Sequence, residues 1–175
     1  MNCQRCALAE SRYKAVPDNG NFHASIMAIG EAPGRTENEV GLPFVGISGQ
    51  MLRAKLASIG VDFDSFFITN TCKCYPNQRK PLKNERLSCR YYLIKQIAII
   101  QPELIIPIGG VALDALTTGG HKISEDVGKL QKSCKLNGQE WLLFPIYHPA
   151  YIIRRKSELP AYTRQLIALK RFIVE

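Results

Sequence analysis

Four residue types placed at the ends of apolar runs carry the chemistry of this chain. The run Ile26-Met27-Ala28-Ile29 stops at Gly30-Glu31, and Phe66-Phe67-Ile68-Thr69 stops at Asn70. A third run, Leu104 to Ile108, stops at Gly109-Gly110, and Trp141 to Ile146 is followed by Tyr147-His148-Pro149. An asparagine side chain offers a donor and an acceptor to the polar edge of a planar amide. A histidine can donate to an oxygen on which negative charge grows, and Phe44 can stack on a ring. Glu31 adds a carboxylate. Taken singly, a His before Pro is more often a structural donor, an Asn after a strand is more often a turn residue, and a Phe is core. Their shared position at strand ends favours a site.

The six cysteines are the second set. Cys3-x-x-Cys6 is half of a metal knuckle, and Cys74 and Cys89, with fourteen residues between them, can supply the other half. In an extended Thr71-Cys72-Lys73-Cys74 segment, Cys72 and Cys74 point the same way, so spacing does not choose between them. Cys134 reads as a small core residue in a hairpin. The N-terminus lacks the apolar segment of a secretory signal, which predicts a cytoplasmic protein and metal or redox use rather than disulfides. Cys₄ ligation suits zinc or an iron–sulfur cluster.

These residues need elements to hold them. Short unbroken apolar runs are strands buried on both faces. Between them lie helical patterns: Ser48 to Ile59 with Met51, Leu52, Leu56 and Ile59 on one face, Ser48 as N-cap and Gly60 as stop; and Lys83 to Ile100 with Leu87, Tyr91, Ile94, Ile97 and Ile100. A short helix or turn follows the first cysteines, and another runs through Leu116. A hairpin is signalled by Asn137-Gly138 between Lys129–Leu136 and Gln139–Phe144. A C-terminal helix starts near Pro160, with Tyr162, Leu166, Leu169 and Ile173 inward. The expectation is an α/β fold: a single domain over residues 1–175, with a central four-stranded, mostly parallel sheet flanked by helices in three layers, α/β/α. Its ligand crevice lies at the carboxyl ends of the strands. The loop from Gly30 through Pro33-Gly34 to Gly41-Leu42-Pro43-Phe44-Val45-Gly46 forms that crevice.

Hydrophobic residues at 46% of 175 exclude a disordered chain, and no apolar run reaches membrane-spanning length. The formal charge of +8 suggests a polyanion partner. Lys73, Arg79, Lys80, Lys83, Arg86 and Arg90 form one basic cluster, and Arg154, Arg155 and Lys156 another.

The segment GEAPGRTENEVGLPFVGISGQML resembles the first motif of family 4 uracil-DNA glycosylases. FITNTCKCYPNQRKPLKNERLSC resembles that family's strand and cluster region, and LIIPIGG and YHPAYIIRR its third strand and His-Pro motif. The match runs in order from Cys3 to about Arg155. It implies a [4Fe–4S] cluster on Cys3, Cys6, Cys74 and Cys89, mainly structural, with Cys72 an ordinary residue. It implies release of uracil from single- or double-stranded DNA by a monomer. Gly30, Ala32, Glu37, Phe44, Asn70 and His148 would bind the flipped base, with Glu31, Asn70 and His148 catalytic. Arg79, Lys80, Lys83, Arg154 and Arg155 would hold phosphates, while Tyr151, Ile152 and Ile153 wedge into the vacated stack. Glu31 would serve water or the sugar cation and Glu37 would reject thymine, although these roles can be exchanged. Two departures are Asn38, where Asp is common and would place a carboxylate near the pocket, and Ala150, where Ser is common. Rival expectations are an inactive DNA-binding accessory with the same fold and cluster, and an iron–sulfur electron carrier.

Overall fold

Alternating apolar and helical patterns build one twisted sheet with helices on both faces. The computed structural model describes residues 2–117, 121–132 and 138–173. The strands are β1 (Asp18–Gly20), β2 (Ile26–Gly30), β3 (Phe67–Asn70), β4 (Leu104–Pro107), β5 (Gln131–Lys132) and β6 (Leu142–Leu143). The helices are α1 (Leu8–Ser11), α2 (Arg35–Val40), α3 (Ile47–Ala57), α4 (Lys83–Ile100), α5 (Gly110–Leu116), α6 (Ile123–Asp126), α7 (Pro149–Arg154) and α8 (Leu159–Lys170).

The sheet order is β1-β3-β2-β4-β6-β5. The inner four strands run parallel, and β1 and β5 pair antiparallel at the two edges. The expected four-stranded sheet is therefore six-stranded. Of the two added strands, β5 is the first arm of the expected hairpin, whereas β1, Asp-Asn-Gly, is short and polar, so no apolar periodicity announces it. The expected strand over Trp141–Ile146 keeps a ladder only at Leu142–Leu143: Phe144 still donates to the Ile105 carbonyl at 2.9 Å, but Pro107 of β4 has no N–H to return to the Phe144 carbonyl. Pairing resumes beyond it: Ile146 donates to the Pro107 carbonyl at 3.0 Å and Gly109 donates to the Ile146 carbonyl at 2.8 Å. The hairpin arms pair as expected through β5 and β6. Its Asn137 and the nearby Cys134 lie outside the described residues.

Alternation along the strands divides the core in two. Ile26, Ala28, Ile68 and Ile106 face α3, α7 and α8, where Leu52, Leu56, Ile152, Leu166 and Leu169 are buried. Met27, Ile29, Phe67 and Ile105 face α4 and α5, against Leu93, Ile97, Leu113 and Leu116. α3 is capped by Gly46 rather than Ser48, and Gly60, with φ of +76°, ends the turn after it. α4 has the expected bounds, but Leu87 and Tyr91 are exposed; the buried side is Leu93, Ile97 and Ile100. In its first half the buried residue is Glu85 instead. Ile173 packs only partly buried against the core. Among the described residues no helix is long and apolar enough to cross a membrane.

Candidate active site and cysteine site

Parallel register brings the strand ends to one edge. Gly30 lies opposite Asn70 in the β2–β3 ladder, and Ile108 bridges Ile146, two residues before His148. At Gly30 the ligand edge is so crowded that a Cβ would stand 2.3 Å from Asn70 Oδ1 and 2.6 Å from Phe44 Cζ. Only glycine fits that approach. Phe44 has φ of +56°, a left-handed conformation that bulky residues rarely adopt. Gly49 permits it, since a Cβ there would lie 1.9 Å from the Phe44 carbonyl oxygen. The Phe44 ring meets Phe63 edge-on at 5.8 Å and faces the His148 ring at 6.4 Å, tilted 32°. Ala32, Glu37, Phe44, Asn70, His148 and Ala150 line a cavity of about 330 Å³.

Glu37 enters this cavity from the first turn of α2. Its carboxylate is buried, wedged beside Gly34 and Gly46, and accepts the Gly46 N–H at 2.7 Å. Asn38, the next residue, faces away: its Oδ1 accepts the Tyr13 N–H at 2.9 Å. The expectation that an Asp here would place a carboxylate near the pocket is therefore corrected. Position 38 holds the loop at Tyr13 and Lys14, and amide and carboxylate oxygen serve equally as acceptor.

His148 is the N-cap of α7. Its Nδ1 accepts the Ala150 N–H at 3.1 Å, so in the neutral ring the proton sits on Nε2. The ring rests on Gly109, where φ is +91° and a Cβ would come within 3.0 Å of the His148 Cβ. Burial, with a smaller push from the Arg154 charge, lowers the His148 pKa to about 4. Near neutral pH the histidine is thus an uncharged donor.

A wider groove of about 870 Å³ adjoins the cavity, and Ala32, His148 and Ala150 line both. Glu31 lies in the groove, not in the smaller cavity. Burial raises its pKa, opposed by the nearby charges of Lys80 and Arg86. Its main chain is pinned to the segment after β3, for Thr71 and Cys72 both donate to the Glu31 carbonyl. Arg79, Lys80 and Arg154 also line the groove. Arg79 forms a forked pair with the buried Glu85, at 2.8 and 2.6 Å. Lys83 and Arg155 are exposed outside the groove lining, with the Arg155 guanidinium 5.5 Å from the Tyr151 ring centroid. Two expectations are corrected by burial. Ile152 is 1% exposed and belongs to the core under α7, so it cannot project as a wedge; Tyr151 is half-buried and Ile153 is exposed. Lys73 is 2% exposed and drops out of the basic surface cluster.

Cys3, Cys6, Cys74 and Cys89 converge around a second, small cavity between the N-terminus, α4 and the segment after β3. Arg12 Nη1 donates to Cys74 Sγ at 3.4 Å, and the Lys73 backbone N–H donates to Cys89 Sγ at 3.2 Å. Cys72 is buried beside Cys89 but does not line the cavity. Its thiol donates to Cys89, which lowers the Cys89 pKa to about 7 and raises that of Cys72. Among the described residues no group of three or more His, Cys, Asp or Glu side chains is arranged so that it could hold a metal ion. Arg12 and Gly49 are parts of these sites that sequence reasoning missed, and Lys73 was assigned to the surface instead; only the glycine, inside the first loop motif, carried any signal.

An α/β sheet whose parallel strand ends combine an amide, an aromatic ring and an uncharged histidine around a small cavity, beside a cationic groove, defines a protein built for a small planar polar group on an anionic carrier. The chain belongs to the uracil DNA glycosylase superfamily, whose family model matches residues 17–170. It is 39% identical over 160 residues to the type-4 uracil-DNA glycosylase of Pyrobaculum aerophilum, covering 89% of this chain and 82% of that protein. It is 41% identical over 153 residues to that of Saccharolobus solfataricus, covering 85% and 71%, and 34% identical over 160 residues to that of Thermotoga maritima, covering 89% and 80%.

Proposed function

We propose that this protein is a uracil-DNA glycosylase, hydrolysing the bond between uracil and deoxyribose in DNA. The observation that carries the reading is the His148 hydrogen bond. With Nδ1 occupied by Ala150, only Nε2–H is left to donate. It lines the same cavity as Asn70 and Phe44. The target nucleotide leaves the stack and its base enters this cavity. Phe44 stacks on the ring, and Asn70 donates to O4 and accepts from N3–H. As the C1′–N1 bond breaks, electrons flow onto the base, and His148 Nε2–H stabilises the charge gathering at O2. Water adds its oxygen to C1′, and its proton ends on the departing uracil. Glu31, in the groove outside the base cavity, is on the side of the sugar and water. Glu37, inside the cavity, crowds a 5-methyl group and rejects thymine. Lys80 and Arg154 hold flanking phosphates with Arg79, Lys83 and Arg155, and Tyr151 with Ile153 fills the gap in the stack.

The four cysteines suit a [4Fe–4S] cluster: the donors are all sulfur, they line one small cavity, and two already accept N–H groups. Bound there, the group would supply a cross-link, fastening the N-terminus to α4 and to the segment after β3. We read the chain as one domain over residues 1–175, acting as a monomer in the cytoplasm. The intact pocket does not favour an inactive accessory, and an electron carrier leaves it unexplained.

The test is base release from a labelled oligonucleotide by purified protein. Uracil should be released, and cytosine and thymine should not, because cytosine reverses the donor and acceptor edge that Asn70 reads. Asn70→Asp should shift the choice toward cytosine. Equal release of cytosine and uracil by the unaltered protein would refute the reading.

A further inference from the structure

Lys73 is the one lysine among the described residues in the buried core, and its ammonium is fully partnered. Nζ donates to the Asn70 carbonyl, to Thr69 Oγ1 and to Gln96 Oε1, each at 2.6 Å. An ammonium has three protons to give, so all are used. Gln96 passes the interaction on, with Nε2 donating to Asp18 Oδ2 at 2.8 Å and to the Pro17 carbonyl at 3.0 Å. A buried cation is costly unless it is paired, and such groups are kept where they specify one arrangement. Here the arrangement spans two sites. The Lys73 backbone N–H is held by Cys89 Sγ, while its side chain reaches back three residues to the main chain of Asn70. Asn70 is the last residue of β3: on one side Thr71 N–H holds the chain to the Gly30 carbonyl of β2, but on the other the β1 ladder has ended at Thr69.

We propose that Lys73 is a positioning residue that ties the cysteine site to base recognition: it holds the Asn70 backbone so that the Asn70 amide meets the uracil edge, and it takes its own position from Cys89. The inference rests on the reading of Asn70 given above. It makes the four-cysteine site a determinant of base selection as well as a staple. Releasing the carbonyl lets the amide drift, and misplacement by about 1 Å costs up to about 10²-fold in rate.

The test compares Lys73→Met, Asn70→Ala and the double variant in single-turnover excision of uracil at saturating protein. Iron content, visible absorption and thermal midpoint are measured on the same samples. Lys73→Met should keep its iron and absorption, lose roughly ten- to a hundredfold in excision, and have no further effect in the Asn70→Ala background. Unchanged excision with iron retained, or losses that multiply in the double variant, would overturn the proposal. Should Lys73→Met lose iron, Thr69→Val decides: slower excision that Thr69→Ser restores supports the linkage, and unchanged excision overturns it. If Asn70→Ala excises at the normal rate, the reading of Asn70 itself fails and the proposal falls with it. If only Lys73→Met is without effect, the reading of Asn70 stands.

Discussion

In the proposed mechanism His148 acts through Nε2–H, and an atom that takes no part in the reaction sets this up. Nδ1 is spent on the Ala150 N–H, which leaves the ring neutral and Nε2–H free. Removing one donor of this kind costs about 10²–10³ in rate, roughly 3–4 kcal/mol. His148→Ala should therefore slow single-turnover excision steeply and change DNA binding little, because phosphate contacts dominate affinity. Arg154→Ala should do the reverse, with weaker and more salt-sensitive binding. Retained excision with lost binding in His148→Ala would make the histidine a DNA contact. The pH dependence has a definite sign. With its pKa near 4 instead of 6.5, folded His148 resists protonation that the unfolded chain accepts. Its contribution to stability is complete above about pH 6.5 and is lost progressively as pH falls toward 4. Thermal midpoints of His148→Gln should show less of that decline. The excision rate should have no histidine step near 6.5. Its acid limb should belong to Glu31, whose pKa is raised, and should disappear in Glu31→Gln.

The elements place these atoms through packing that can be disturbed one side chain at a time. α3 keeps Gly49 under the Phe44 carbonyl. Gly49→Ala should force Phe44 out of its left-handed conformation, lowering uracil affinity and excision while leaving the helix intact; a normal rate would mean the Phe44 geometry is dispensable. α8 carries the opposite kind of feature. Tyr162 is completely buried, and its hydroxyl has no hydrogen-bond partner among the described residues. Burying an unpaired hydroxyl costs about 1–3 kcal/mol. Tyr162→Phe should accordingly raise stability by about 1 kcal/mol in denaturant titrations, with base excision unaffected, since the residue lies on the core side of α8 and not at the strand ends.

On the scale of the whole molecule, the sheet edge and the cysteine site are joined by the short segment Asn70 to Cys74. Anything that loosens the cysteines should reach the pocket through it. Cys89→Ala should lose iron and sulfide, expected near four of each per chain in protein handled without air, and lower the thermal midpoint. Cys72→Ala should retain both, since Cys72 lies beside the cavity but does not line it. Stoichiometric zinc without sulfide would replace the cluster assignment. The charge of +8 acts at this scale too, as a salt dependence of DNA binding that survives any single lysine substitution in part.

Much of this was legible in the chain alone. Strand runs ending at Gly30, Asn70, Gly109 and His148 were visible because buried parallel strands are unbroken apolar runs and their ends must change composition. The cysteine pairs were visible because thiols at such spacing have few other uses. The edge strand β1 was not, because a polar three-residue segment acquires strand geometry only from a neighbour that is already there. Side-chain direction was equally hidden. Asn38 and Glu37 are adjacent in one helix, yet one faces the Tyr13 loop and the other the cavity. Ile152 and Lys73 were read as surface groups from their neighbours in sequence, and both are buried. Composition and period say which residues can be used. Which way each side chain points, and what satisfies a buried ammonium, depends on contacts between residues far apart in the chain, and those exist only once the sheet and its helices have packed.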